Sequence, residues 1–173
     1  GIGAVARAAC DIALWDLKAR VAGLPLCALL GGARDRVPAY TTDIGWLNAP
    51  LEQMVDEAAA AVAGGFRGVK VKVGKPSLEE DARRVAAVRA AIGPDVALMV
   101  DANQAWTVAE AIRRGRRLEE SGLAWLEEPL PAEDVAGHAA VRAALTTPVA
   151  VGETLYGSAA FRDYAERGAV SIM

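Results

Sequence analysis

The sequence predicts an α/β protein built on a parallel sheet. Short apolar stretches rich in Val, Leu and Ala alternate with longer stretches whose apolar residues recur at helical spacing. Glycine or proline closes most of the helical stretches, and the connections are short. Strands of this composition suit a sheet covered by helices on both faces. The 173 residues are 53% hydrophobic and 24% charged, enough for one domain with a core.

The elements follow in order. Residues 4–22 read as a helix with Ala8, Ile12, Trp15 and Ala19 on one stripe, stopped by Gly23 and Pro25. Residues 29–36, "LLGGARDR", read as a polar link. Predicted strands lie at 37–42, 68–73, 96–101, 123–127, 148–153 and 169–173. Predicted helices lie between them at 51–65, 78–93, 107–122, 133–145 and 158–168. Thr107 and Glu110 have the spacing of a capping box. The chain thus divides into a helix and link at 1–36 and about five and a half β/α units at 37–173. Two architectures fit: a doubly wound open sheet, or an incomplete (β/α)8 barrel of the TIM type. A complete barrel takes about 250 residues, so this chain holds about two-thirds of one.

Composition excludes several classes. The net charge of -3, from 19 basic and 22 acidic residues, argues against a nucleic-acid binder with a basic stripe. No uncharged apolar run reaches the roughly 18 residues of a membrane span. Arg7 and Asp11 interrupt the first apolar stretch, so it does not read as a signal peptide. Cys10 and Cys27 form no C-x-x-C pair and read as reduced packing residues of a cytoplasmic protein. Gly1 in place of a methionine, and the apolar run ending at Met173, read as cuts in a longer chain.

The chemistry gathers at strand ends. In "GVKVKVG" the valines share one face and Lys70 and Lys72 the other. Asp101, Glu127 and Glu153 end three successive predicted strands. In either architecture that end is where sites are built. One carboxylate after a strand is ordinarily a helix cap or a solvated loop residue. Five charged residues on four consecutive strand ends make a poor coincidence. Converging carboxylates repel, and a bound cation relieves the repulsion. Oxygen-only ligands suit a hard ion, Mg²⁺ before Mn²⁺ or Ca²⁺, with open positions for substrate or water. A lysine base needs its pKa brought from about 10.4 to about 7–8, roughly 4 kcal/mol, which burial and a neighbouring cation supply. A base beside such a metal suggests removal of the proton next to a carboxylate, with a metal-stabilised enolate.

These residues belong to longer matching stretches: "CDIALWDLKARVAGLP", "LLGG", "VKVKVG", "MVDANQAW", "WLEEPL" and "VGETLYG". In family order and spacing, they resemble the mandelate racemase/muconate lactonizing enzyme family of the enolase superfamily. The resemblance implies a TIM-type barrel and a Lys base with Mg²⁺. It implies Lys72 as the base, Lys70 as its supporting lysine, and Asp101, Glu127 and Glu153 as Mg²⁺ ligands. Glu128 would then contact a loop behind the ligands, and Asn103 would help hold the substrate carboxylate. "DANQAW" and "PAEDVAGH" are most similar to the acid-sugar dehydratases.

The resemblance also implies what this chain lacks: the N-terminal capping domain, the sixth-strand aspartate, the seventh-strand histidine and the last barrel strands. The expected reaction is dehydration of an acid sugar. Racemisation or epimerisation and cycloisomerisation of a hydroxy acid are the alternatives, and a truncated barrel without turnover is the competing class. The full-length protein is expected to be a homo-oligomer taking a small-molecule carboxylate.

Other residues read as structural. His138 sits mid-helix and reads as surface or helix packing. Trp46, Trp106 and Tyr156 follow strands and are assigned equally to pocket and packing. Trp15 and Trp125 read as core, and "RRGRR" at 113–117 as a solvated helix face. The 173 residues alone are expected to be inactive; turnover of an α-hydroxy acid by them would overturn this.

Overall fold

A computed structural model describes residues 2–173; Gly1, the first residue of the 1–36 lead, lies outside them. The chain divides into two units, one ending at Pro38 and the other starting at Ala39.

The first unit holds α1 (Ile2–Val21) and α2 (Leu26–Leu29). Lys18 and Arg20 lie in the last turn of α1, where cations favour the helix dipole. Gly23, at φ 65°, ends α1 in a Schellman turn: Leu24 N–H donates to Ala19 O (3.0 Å) and Gly23 N–H to Arg20 O (3.1 Å). Helix α2 begins after Pro25, inside the stretch read as a stop and link. The predicted apolar stripe is only partly covered. Ala19 is buried, but Ile12 and Trp15 are 65% and 37% exposed, and Cys10 and Cys27 are exposed too. The packing roles expected of Trp15 and both cysteines are therefore not met. A helix and a single helical turn offer too little surface to cover a stripe that long.

The second unit is a parallel sheet with helices between its strands: α3 (Leu51–Ala63), β1 (Gly68–Lys72), α4 (Leu78–Ile92), β2 (Ala97–Asp101) and α5 (Val108–Leu118). A 3-10 turn (Glu119–Ser121) leads to β3 (Trp125–Glu127), α6 (Val135–Ala144), β4 (Val149–Ala150) and α7 (Ser158–Glu166). The strand order is β1-β2-β3-β4. A doubly wound sheet reverses direction at a switch point, whereas a barrel adds strands in sequence. The observed order is that of an incomplete (β/α)8 barrel.

Both outermost predicted strands shrink to single bridges. Residues 37–42 keep only Thr41 opposite Val69, and residues 169–173 only Ile172 opposite Ala150. Pro38 has no N–H to give a ladder, which limits pairing there. Further along that edge, Gly45 O accepts from Lys72 N–H at 2.9 Å. Strand β4 stops at Ala150, so Glu153 lies in the loop beyond it rather than at the strand end.

Helix starts follow local chemistry. Ser77 and Thr107 accept from the N–H of Glu80 and Glu110, each at 3.4 Å, and Asp134 accepts from Gly137 N–H at 2.8 Å. The Glu110 carboxylate turns to Arg113 and Arg114 instead of back to Thr107, so the capping box is half formed. Val69, Val71 and Val73 pack with Val85, Val88, Leu98, Val100 and Leu126 in the core between sheet and helices. Among the described residues no helix is long and apolar enough to cross a membrane.

One single-residue expectation changes, and two open ones resolve to packing. Arg114 of "RRGRR" is buried, with its guanidinium 2.8 Å from Asp81 and donating to the carbonyls of Lys75 (2.9 Å) and Pro76 (3.1 Å). Arg113 and Arg116 remain on the solvated face. Trp106 is core, stacked 5.5 Å from the Arg114 guanidinium. His138 is fully buried, with Nδ1 2.9 Å from Asp134 O and 3.1 Å from the Tyr164 hydroxyl, joining α6 to α7. Burial holds that imidazole below its ordinary pKa and pushes Tyr164 up to about 12.

Glu119 ties the turn after α5 to the start of β4. Its Oε1 accepts from Thr147 N–H (2.7 Å), Thr146 Oγ1 (2.8 Å) and Thr146 N–H (2.5 Å). Burial pushes this carboxyl up, but the hydrogen bonds outweigh it and leave the pKa below the ordinary value. A depressed folded pKa gives stability that is present above the unfolded value of about 4.3 and lost as pH falls through the folded one. Glu119→Gln should therefore melt below the wild type at neutral pH. Thermal scans across acid pH should show that gap closing.

Candidate metal centre and active site

Register builds the site. Pairing of Lys72 with Asp101, Asp101 with Glu127, and Glu127 with Ala150 places these residues in one row across β1, β2, β3 and β4. Side chains in one row of a parallel sheet point to the same face. The valines of β1 occupy the opposite face, in the core, so both lysines turn toward the carboxylates.

Ionic contacts follow from that row. Lys72 Nζ lies 2.7 Å from Asp101 Oδ2. Lys70 Nζ lies 2.6 Å from Glu127 Oε1 and 3.4 Å from Asp101 Oδ2. The second oxygens are held as well. Asp101 Oδ1 accepts from Asn103 N–H at 2.9 Å, and Glu127 Oε2 from Trp125 Nε1 at 3.0 Å. Burial pulls the Lys70 amine down, but its hydrogen bond to Glu127 and the charges of Glu127 and Asp101 outweigh that and leave it above its ordinary value. Tyr40 adds an aromatic face, its ring centroid 5.9 Å from Lys70 Nζ and packed edge-on 5.4 Å from Trp125.

Glu153 reaches the same place from its loop. One oxygen from each of Asp101, Glu127 and Glu153 lies within 4.8 Å of the others. Oxygens around a common hard cation span roughly 4–5 Å, and an all-carboxylate donor set is what such an ion takes. The two ammonium groups offset part of the carboxylates' charge.

Two cavities open beside the row. One, of about 560 Å³, is lined by Lys72, Lys75, Trp46, Asn48, Asn103 and Ala105 among others. The other, of about 410 Å³, is lined by Tyr40, Trp125, Glu127, Glu153 and Phe161 among others. Lys72 and Asn103 thus face one space, and two of the carboxylates face the other. Trp46 is a wall of the first cavity, and Tyr156 is exposed in neither lining.

Against known families, residues 53–173 match the model described as "Enolase C-terminal domain-like". Residues 2–31 match the "Mandelate racemase / muconate lactonizing enzyme, N-terminal domain". The chain belongs to the mandelate racemase/muconate lactonizing enzyme family. The stretch read as a lead into the barrel thus falls within the family's N-terminal domain model. One relative is the L-talarate/galactarate dehydratase of Salmonella typhimurium, 50% identical over 155 residues, which are 90% of this chain and 39% of the relative. Another is the 3,6-anhydro-alpha-L-galactonate cycloisomerase of Streptomyces coelicolor, 41% identical over 96% of this chain and 46% of the relative. A crystal structure of the Salmonella typhimurium LT2 dehydratase, liganded with Mg and L-lyxarohydroxamate, superposes with a TM-score of 0.87 at 47% identity. That match covers 94% of this chain and 42% of the other. The chain spans less than half the length of each of these relatives.

In this mandelate racemase family member, sequence reasoning did not place Tyr40, Trp125 or Gln104 beside the site, while it did single out Glu128 as a contact to a loop. Tyr40 lies far along the chain from the motifs, and only the fold brings its ring to Lys70, whereas Trp125 opens "WLEEPL" and reaches Glu127 from two residues away on the same strand. Glu128 turns away from Glu127 and is buried, its Oε1 accepting from Thr154 N–H (3.1 Å) and Thr154 Oγ1 (2.7 Å). Asn103, Gln104 and Glu128 all have positive φ, 44°, 64° and 40°. Such residues cost on the order of 1–2 kcal/mol each and persist where surrounding contacts hold them. Two of the three directly neighbour a site residue identified from sequence. The doubled glutamate of "WLEEPL" and the "NQ" after Asp101 were the available signals.

Proposed function

We propose that this chain carries the Mg²⁺ site and the lysine base of an enzyme that removes the proton next to a substrate carboxylate. Dehydration of an acid sugar is the reading favoured. The observation that carries it is the row Lys72, Asp101 and Glu127, with Glu153 within 4.8 Å of both acids. Asp101, Glu127 and Glu153 would hold the ion. When bound, Mg²⁺ supplies positive charge opposite the negative charge that develops on the substrate carboxylate.

The chain's own groups divide the remaining work. Lys72 is the base because it lines the larger of the two cavities, as Asn103 does. Its side chain is 23% exposed against 8% for Lys70, which is enclosed by Glu127 and Tyr40. Lys70 is the supporting lysine: the hydrogen bond to Glu127 and the charges of Glu127 and Asp101 hold its amine above the ordinary pKa, and its side chain shares the face of Lys72. Lys72 Nζ takes the α-proton, and Asn103 helps hold the substrate carboxylate. The Asn103 N–H, donated to Asp101 Oδ1, ties that residue to the acid beside it. The dehydratase at 50% identity supports loss of water as the outcome, and the cycloisomerase at 41% supports the same proton removal followed by ring chemistry.

Two measurements test the reading. Mg²⁺ should raise the melting temperature, and Glu127→Gln should abolish the rise; equal rises in both proteins would remove the metal site. In the full-length protein, solvent deuterium should enter an acid sugar at the carbon next to the carboxylate. Lys72→Ala should slow that exchange by about 10²–10⁴-fold. Undiminished exchange would remove Lys72 from its role.

A further inference from the structure

We propose that Glu128 is a positioning residue whose carboxylate locks the loops after β2 and β4 together and so sets where Glu153 stands. This rests on the Mg²⁺ reading above. Glu153 is the one proposed ligand without a strand under it, since β4 ends at Ala150. Its neighbour Thr154 gives both its N–H and its hydroxyl to Glu128 Oε1. The other carboxylate oxygen, Oε2, accepts from Gln104 Nε2 at 3.2 Å. Gln104 in turn uses its Oε1 to accept from Ala132 N–H at 3.0 Å. The backbone repeats the link, with Gln104 N–H donating to Glu128 O at 2.7 Å and Glu128 N–H to Ala150 O at 2.9 Å.

The polarity of this chain of bonds is fixed at both ends. Thr154 and Ala132 each present donors, so the side chains between them must supply acceptors at both termini. Gln104 cannot flip its amide without setting Nε2 against the Ala132 N–H. Only an acceptor at position 128 can then meet Gln104 Nε2. Every hydrogen bond that the Glu128 side chain receives among the described residues comes from a neutral donor. What the carboxylate contributes is acceptors on two sides, and another arrangement with the same acceptors should serve.

That gives a test by exchange of side chains in the full-length protein, read by calorimetric titration with Mg²⁺. Glu128→Gln sets an amide donor against the Gln104 amide donor and should weaken Mg²⁺ binding about 10–100-fold. Gln104→Glu alone opposes two carboxylates and should weaken it as well. The double variant E128Q/Q104E restores every donor–acceptor match: the amide introduced at position 128 accepts from Thr154 and donates to the carboxylate introduced at position 104, which accepts from Ala132. Its affinity should return to within about threefold of wild type. Wild-type affinity in Glu128→Gln, or a folded double variant no better than the single one, overturns the proposal. If Glu128→Gln does not fold, Thr154→Val removes one donor only, and unchanged Mg²⁺ affinity there also overturns it. Absence of Mg²⁺ binding by the wild type sinks the metal reading and this inference with it, whereas the other failures leave the metal reading standing.

Discussion

The lateral register of the first three strands is the constraint on which the rest of the site depends. Parallel strands added in sequence share one C-terminal edge, so residues at matching positions are forced into a row. Here the row holds Lys72, Asp101 and Glu127, and Lys70 one step below reaches up to the same acids. Like charges on neighbouring strands would by themselves loosen the sheet edge. Interleaving two ammonium groups with the carboxylates makes the row tolerable, and the same interleaving places two amines beside the carboxylate cluster.

Precision in such a row needs loops that do not wander, and buried polar groups supply it. Asp81 accepts from the N–H groups of Gly74 and Lys75 while Arg114 donates to the carbonyls of Lys75 and Pro76, fixing the turn after the lysine strand. Arg84 donates to the carbonyls of Trp46 and Ala49, fixing the opposite rim of the larger cavity. Glu128 and Gln104 hold the loops beyond β2 and β4. Asp81, Arg84, Arg114 and Glu128 are buried, and burial of such groups is tolerable where hydrogen bonds satisfy them, as these do apart from Arg84 Nε. The three left-handed residues among these loops are strain retained in the same neighbourhood.

Much of this was legible along the chain. Apolar periodicity located the helices, with ends off by a few residues, because amphipathic faces and caps are local properties. The alternation of valine and lysine in β1 correctly put the lysines on the face away from the core. Reading failed where a segment depended on neighbours. Residues 37–42 and 169–173 have strand-like composition yet keep one bridge each, since a strand needs a paired edge and composition alone does not provide one. Arg114 reads as a solvated residue in a basic run, and only the approach of α4 buries it against Asp81.

The sequence by itself determined the alternation of strands and helices, the spacing of the acidic and basic residues along them, and the family. These follow from covalent order and from side-chain period, which need no partner. Tertiary structure alone decided that Glu153 joins the row from a loop rather than a strand end, and which partners each glutamate of the pair takes: the lysines and Trp125 for Glu127, Thr154 and Gln104 for Glu128. The physical reason is that direction and distance between segments far apart in the chain are set by packing and hydrogen-bond partners, and adjacent identical residues become different only when each has something different to face.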